Sequence, residues 1–178
     1  ATAAASSVAD RIRVYEILVS GRLAQTRLQE AVDTGLEALR LLGVDFPALA
    51  DEQHWQNWRA RVGEHLGQRS IASLIDAPEM SDQNALLKLR LLSRLLPAIY
   101  KFSPGLLPLV TAEMAITSIE HGTTGLSAFG YSCYGMILVG FFSDYAAAWE
   151  YAQLSRRIID RHGAADVIPR AYQIIEAT

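Results

Sequence analysis

Glu113, Glu120 and His121 come nearest, in this chain, to an acid–base constellation. Two carboxylates and an imidazole can hold, accept and return a proton near neutral pH. Their spacing works against that use. Glu113 and Glu120 are seven residues apart, so a helix puts them on one face with His121 off to the side. A paired or capping role fits this spacing better than convergence on one cleft. Cys133 is the single cysteine, which excludes an internal disulfide and a cysteine-rich metal site. It sits among apolar residues with no base close by in sequence, the setting of a small core hydrophobe and not of a nucleophile. His54 and His65 are eleven residues apart, three helical turns, too far to share a metal without outside ligands. The chain has no GxxxxGK[ST], no GxSxG, no HExxH and no kinase catalytic loop. The expectation is a non-catalytic chain with no metal and no cofactor.

Recognition is the other chemistry to consider. Tyr131, Tyr134, Tyr145, Trp149 and Tyr151 lie close together in sequence. On the inner face of a curved helical stack, such a set would hold a peptide or a small molecule. The competing role is core between helices, the commoner fate of aromatics at helical spacing. The RRIIDRH run from Arg156 to His162 could meet an anionic partner, but cations near a helix end also complement its dipole.

These side chains need elements to hold them, and the patterning is helical throughout. Val8, Ile12, Tyr15 and Leu23 recur at helical spacing, and Leu28 to Leu42 repeats the pattern up to a cap at Gly43. Two helices joined so briefly must lie antiparallel. VDFPALA reads as a loop. Asp51 is the expected N-cap of a helix to about Leu66, with Trp55, Trp58, Val62 and Leu66 on one face. Ser70 to Ile75 predicts a short turn. Ser81 predicts the start of a helix to about Phe102 whose last turns Pro97 should bend or break. Ser103-Pro104 predicts the next start, Gly122 its end, and Thr124 and Ser143-Asp144 two more starts, the last helix ending at Gly163. No alternating strand pattern occurs. The fold expected is all-α, one domain over residues 1–178, with antiparallel helical hairpins following one another along the chain.

Thr124 to Phe142 carries no charge and is long enough to cross a membrane. It is polar for a span, and no Lys or Arg flanks it before Arg156. Gly130, Gly135 and Gly140, with Ala128 and Ser132, instead suggest a crowded helix whose neighbours pack closely, without membrane insertion. Composition excludes two further classes: 51% hydrophobic residues argue against disorder, and a net charge of −3 with well-mixed signs argues against a nucleic-acid surface. Small residues at Ala31, Gly35 and Ala38, and again the series Ala147, Tyr151 and Leu154, follow the crossing pattern of tetratricopeptide-type helix pairs. Stacked hairpins of that kind form a tetratricopeptide-like α-solenoid.

Three blocks carry a family likeness: RIRVYEILVSGRLAQTRLQEAVDTGLEALRLLGVDFP, SLIDAPEMSD and AEMAITSIEHGTTGLSAFGYSCYGMIL. They resemble, in order, a helical region of bacterial multi-sensor signal-transduction multi-kinases. In that family a Ser/Thr kinase-like domain and a predicted ATPase domain precede the helical region, and GAF-type sensor and often histidine-kinase domains follow it. The resemblance covers most of Arg11 to Gly163 and includes no catalytic motif, so no functional residue carries over. It implies a cytoplasmic fragment of a larger bacterial chain that couples other domains of the same polypeptide, or a separate signalling protein, and is compatible with a homo-oligomer. A ligand- or peptide-sensing module using the aromatics near Tyr131 and Trp149 is the alternative.

Overall fold

The computed structural model describes residues 2–162, with side chains from residue 10 onward. Seven α-helices follow one another: α1 Thr2–Ala24, α2 Leu28–Leu41, α3 Glu52–Leu66, α4 Gln83–Phe102, α5 Leu107–His121, α6 Gly125–Phe142 and α7 Tyr145–His162. Short 3-10 turns at Ile71–Asp76 and Pro104–Leu106 complete the order, and no strand occurs among the described residues. The fold is all-α, as the periodicity implies. The helix end assigned to Gly163 lies outside the described residues.

Most boundaries follow from local chemistry. Asp51 accepts from His54 N at 3.0 Å and His54 Nδ1 returns toward the Asp51 N–H, a reciprocal cap for α3. Thr124 accepts from Leu126 N at 3.0 Å, and Ser127 Oγ accepts from Thr124 N at 3.0 Å, so α6 is capped the same way. Two starts differ from expectation. Asp82, not Ser81, caps α4 through Ala85 N at 2.9 Å; a carboxylate accepts a charge-assisted bond that a hydroxyl cannot match. Ser103 makes no side-chain cap. The chain turns through Pro104–Leu106 before α5 begins at Leu107, with Pro108 in its first turn. Pro97 does not break α4, which continues to Phe102. Ala98 and Ile99, just beyond the proline, are buried, and that packing holds the last turn in line.

Consecutive helices pair as α1 with α2, α4 with α5 and α6 with α7. Helix α2 also packs on α4, α5 on α6, and α4 touches both α1 and α6. Helix α3 departs from the expected run of consecutive hairpins. Its main partner is α5, and the turn Ile71–Asp76 packs on α7. Its apolar face explains this. Trp58 and Val62 are buried, Phe46 lies 5.1 Å from the Trp58 ring, and Trp55 donates from Nε1 to Gly105 O at 2.9 Å. The segment from 43 to 80 is thus a cover laid over α5 and α7.

Helix α5 is consequently buried along almost its whole length, from Leu107 to Ile119. Helix α6 is buried from Ser127 to Gly135. It alone among the described residues is long and apolar enough to cross a membrane, and 61% of it is buried within the fold. Its glycines are not equivalent. A Cβ at Gly130 would stand 3.0 Å from Met114 Cβ, and one at Gly135 would stand 3.3 Å from Ala148 O. Gly140 faces open space and takes no part in close packing. At Gly35 a Cβ would run into Leu95 of α4, which explains the small residue on α2. Gly122 closes α5 with φ +99°, and a Cβ there would run into the carbonyl oxygen of Pro78. The two backbones come this close because the segment at Glu79 pairs with Thr123: Met80 N donates to Thr123 O at 3.0 Å and Thr123 N to Pro78 O at 2.9 Å.

Candidate functional site

Of the acid–base candidates, Glu113 is held away from Glu120 and His121 by its own partners. Glu113 is buried in the middle of α5 and accepts from Lys88 Nζ of α4 at 2.9 Å. Its second oxygen makes no hydrogen bond, with Arg61 of α3 at 3.9 Å. The α4–α5–α3 arrangement makes Glu113 a structural ion pair, since a buried charge needs a counter-charge. Glu120, two turns on, lies 3.0 Å from His65 Nδ1 and 3.8 Å from His121. The Glu120–His65 pair fastens α3 to α5. His54 serves the α3 cap, so the two histidines considered for a metal are each taken by a carboxylate. Among the described residues no cluster of three metal-ligating side chains exists.

The five aromatics divide into two groups. Tyr131, Tyr134 and Tyr151 are buried between α6 and α7: the Tyr131 and Tyr151 rings stack at 5.6 Å, and Tyr134 meets Tyr151 edge-on at 5.3 Å. Burial raises the phenol pKa of all three above its ordinary value. Tyr131 Oη has no hydrogen-bond partner, although Ser118–Ser127 and Ser132–Ser155 hydroxyl pairs lie in the same layer at 2.9 and 2.6 Å. Tyr145 and Trp149 are on the outer face of α7, 65% and 61% exposed. The structure therefore brings three of the five together as core and leaves two outside it.

A different place has the form of a binding site. An apolar groove of about 380 Å³ opens between α4 and α6, floored by Leu107 and Thr111 of α5. Its α4 wall is Leu96, Pro97 and Tyr100; its α6 wall includes Met136, Ile137 and Phe141, with Cys133 at the base. Tyr100 is 71% exposed, Met136 43% and Phe141 40%. Large apolar side chains grouped in a concave surface are unusual outside interaction sites. Burial pushes the Cys133 thiol up to about 12, so it presents no thiolate here.

The exposed face of α4 beside the groove wall at Pro97 is cationic. Arg90, Arg94, Pro97 and Lys101 form the exposed stripe of α4, at successive helical spacings of four, three and four. Among the described residues none of these cations is paired with a carboxylate; Arg94 donates to Ser20 Oγ of α1 at 2.6 Å, and Lys101 lies 5.5 Å from the Phe102 ring. Tyr100, Met136 and Phe141 were not singled out by spacing or motif. The legible signal is in α4: its charged positions, Lys88, Arg90, Arg94 and Lys101, are all basic, with no acidic residue between Gln83 and Phe102.

Neither family models, curated proteins nor solved structures match this chain.

Proposed function

We propose that this chain is a non-catalytic helical-repeat module of a signal-transduction protein, coupling domains of one polypeptide or binding a signalling partner. One observation carries the repeat reading: the order in which helices touch. In a stack of tetratricopeptide-like hairpins, each hairpin's first helix contacts its own second helix, the next first helix, and the preceding second helix. Taking α1–α2, α4–α5 and α6–α7 as the hairpins, the contacts α1–α4, α4–α6, α2–α4 and α5–α6 follow that order. Helix α3 and the turn after it then form an insertion on the side of the second helices. The signalling context rests on the resemblance to multi-sensor multi-kinases, and a cytoplasmic site of action follows from it.

A stack of this kind has nearest-neighbour contacts, so small changes at each interface add up to a change in curvature. The coupling mechanism proposed is that curvature transmits an upstream nucleotide or effector state. Hydrogen exchange on a longer protein containing this chain, with and without saturating ATP, tests it. Altered protection at the α2–α4 or α5–α6 interfaces is the expected result. Identical protection in both states would sink the coupling reading.

A further inference from the structure

We infer that the groove between α4 and α6 docks an acidic amphipathic helix, its apolar side chains seated between Tyr100, Met136 and Phe141 and its carboxylates against Arg90, Arg94 and Lys101. This rests on the interaction-module reading and names the chemistry of the partner. The groove itself is apolar: the Thr111 and Tyr100 hydroxyls and the Cys133 thiol are the only polar side-chain groups in its lining. A small metabolite needs convergent polar groups to fix its orientation, and these are absent from the lining.

The charge half is the asymmetry of α4. Of its four cations Lys88 is used by Glu113, and the other three face solvent. From Arg90 to Lys101 the stripe runs for about 16 Å at 1.5 Å per residue, roughly three turns of a facing helix. Helix α6 carries no charge, so nothing on the opposite wall offsets that field. The whole chain has a net charge of −3. The positive potential is therefore local, and favours a partner that presents acid along one line and apolar groups along the next. A flat bilayer could reach the α4 cations but not the recessed floor at Leu107 and Thr111. A helix in a groove reaches both.

The test uses three fluorescent peptides of about five helical turns. They share one leucine–phenylalanine face and differ in carrying glutamate, glutamine or lysine elsewhere. Anisotropy is read on the 178-residue chain at low and high salt. The glutamate peptide should bind about ten-fold tighter than the glutamine peptide at low salt, the lysine peptide weakest, and the gap should close as salt screens the α4 cations. Arg94→Glu with Lys101→Glu should reverse the order, and Met136→Ser should weaken all peptides several-fold. These positions are exposed, and circular dichroism confirms that the variants fold. Equal binding of all three peptides, a preference for lysine, or no binding would overturn the proposal. So would binding to anionic vesicles in place of peptide, or sedimentation showing that Met136→Ser abolishes a dimer of the chain itself. A negative peptide result leaves the hydrogen-exchange test of coupling intact, and a negative exchange result leaves the peptide ranking intact.

Discussion

Helix α5 and the α4–α6 groove lie in the same stack of helices, yet one is closed and the other open. On the α5 side, α3 supplies Trp58 and Val62, and polar ties lock it down: Trp55 to Gly105 O, His65 to Glu120, and Arg69 to Ile119 O. Arg59 adds a 2.6 Å contact to Asp144, with its guanidinium 4.9 Å from the Phe142 ring. On the groove side α3 reaches only Phe141, whose ring meets Trp55 edge-on at 4.9 Å. Tyr100, Met136 and Phe141 stay exposed, and the cations beside them have no carboxylate partner among the described residues. The contrast teaches that apolar character alone does not say which face is core. What differs is whether another segment of the chain arrives with matching apolar and polar groups.

If that comparison is right, truncation should be costly on the closed side and cheap on the open one. Leu109→Ala, in the fully buried part of α5, should lower stability by about 4 kcal/mol by transfer loss and cavity formation. Met136→Ala should cost less than about 1 kcal/mol. Urea unfolding followed by circular dichroism measures both, and similar losses would erase the distinction.

Lys88→Met should cost about 3 kcal/mol, because it strands the buried Glu113 carboxylate with only Arg61 at 3.9 Å. Adding Glu113→Gln should recover much of that loss. A double variant no more stable than Lys88→Met alone would mean that the pair is not the reason for the penalty.

Gly135→Leu should overpack the α6–α7 interface and cost roughly 1–3 kcal/mol, since even a Cβ there would press on Ala148 O at 3.3 Å. Gly140→Leu, facing open space at the groove, should leave thermal stability nearly unchanged. Parallel melting curves for the two variants would show that α6 is not asymmetrically packed.

The smallest effect concerns Cys133 at the groove's base. Its thiol is pushed up to about 12 by burial, whereas an unfolded cysteine titrates near ~8.5. The unfolded state therefore releases this proton first. The site's contribution is fully present below about pH 8.5 and is lost as pH rises toward about 12. Cys133→Ala should flatten that part of the stability–pH curve. Iodoacetamide at pH 8 should label the folded protein far more slowly than the unfolded chain; equal rates would mean that the groove opens to its base.

Much of the helical plan is visible in single residues. Asp51 and Thr124 cap helices because their side-chain oxygens satisfy the first free N–H groups, a matter of a few neighbouring residues. Gly43 ends α2 for an equally local reason, its positive φ, whereas Gly122 combines a positive φ with the close approach of the distant Pro78. Pro97 misleads because its local penalty is outweighed by burial of Ala98 and Ile99. The candidate site was much less legible. Tyr131 and Trp149 are eighteen residues apart on adjoining helices, and nothing in their types says that one is core and the other is outside. The groove needs Leu96, Tyr100, Met136 and Phe141 side by side, a relation between helices that no periodicity within one helix contains.

By itself, the sequence determined that this chain is helical, where most helices begin and end, and that α6 is too crowded with glycine and serine to be an ordinary surface helix. Those properties depend on hydrogen bonds and packing pitch over a few residues. Only the tertiary structure decided that α3 covers α5 and not a sequence neighbour, and that α4 and α6 are left with an open apolar seam beneath a cationic stripe. Those outcomes depend on which distant apolar faces can be buried together, and that is settled by the whole set of helices at once.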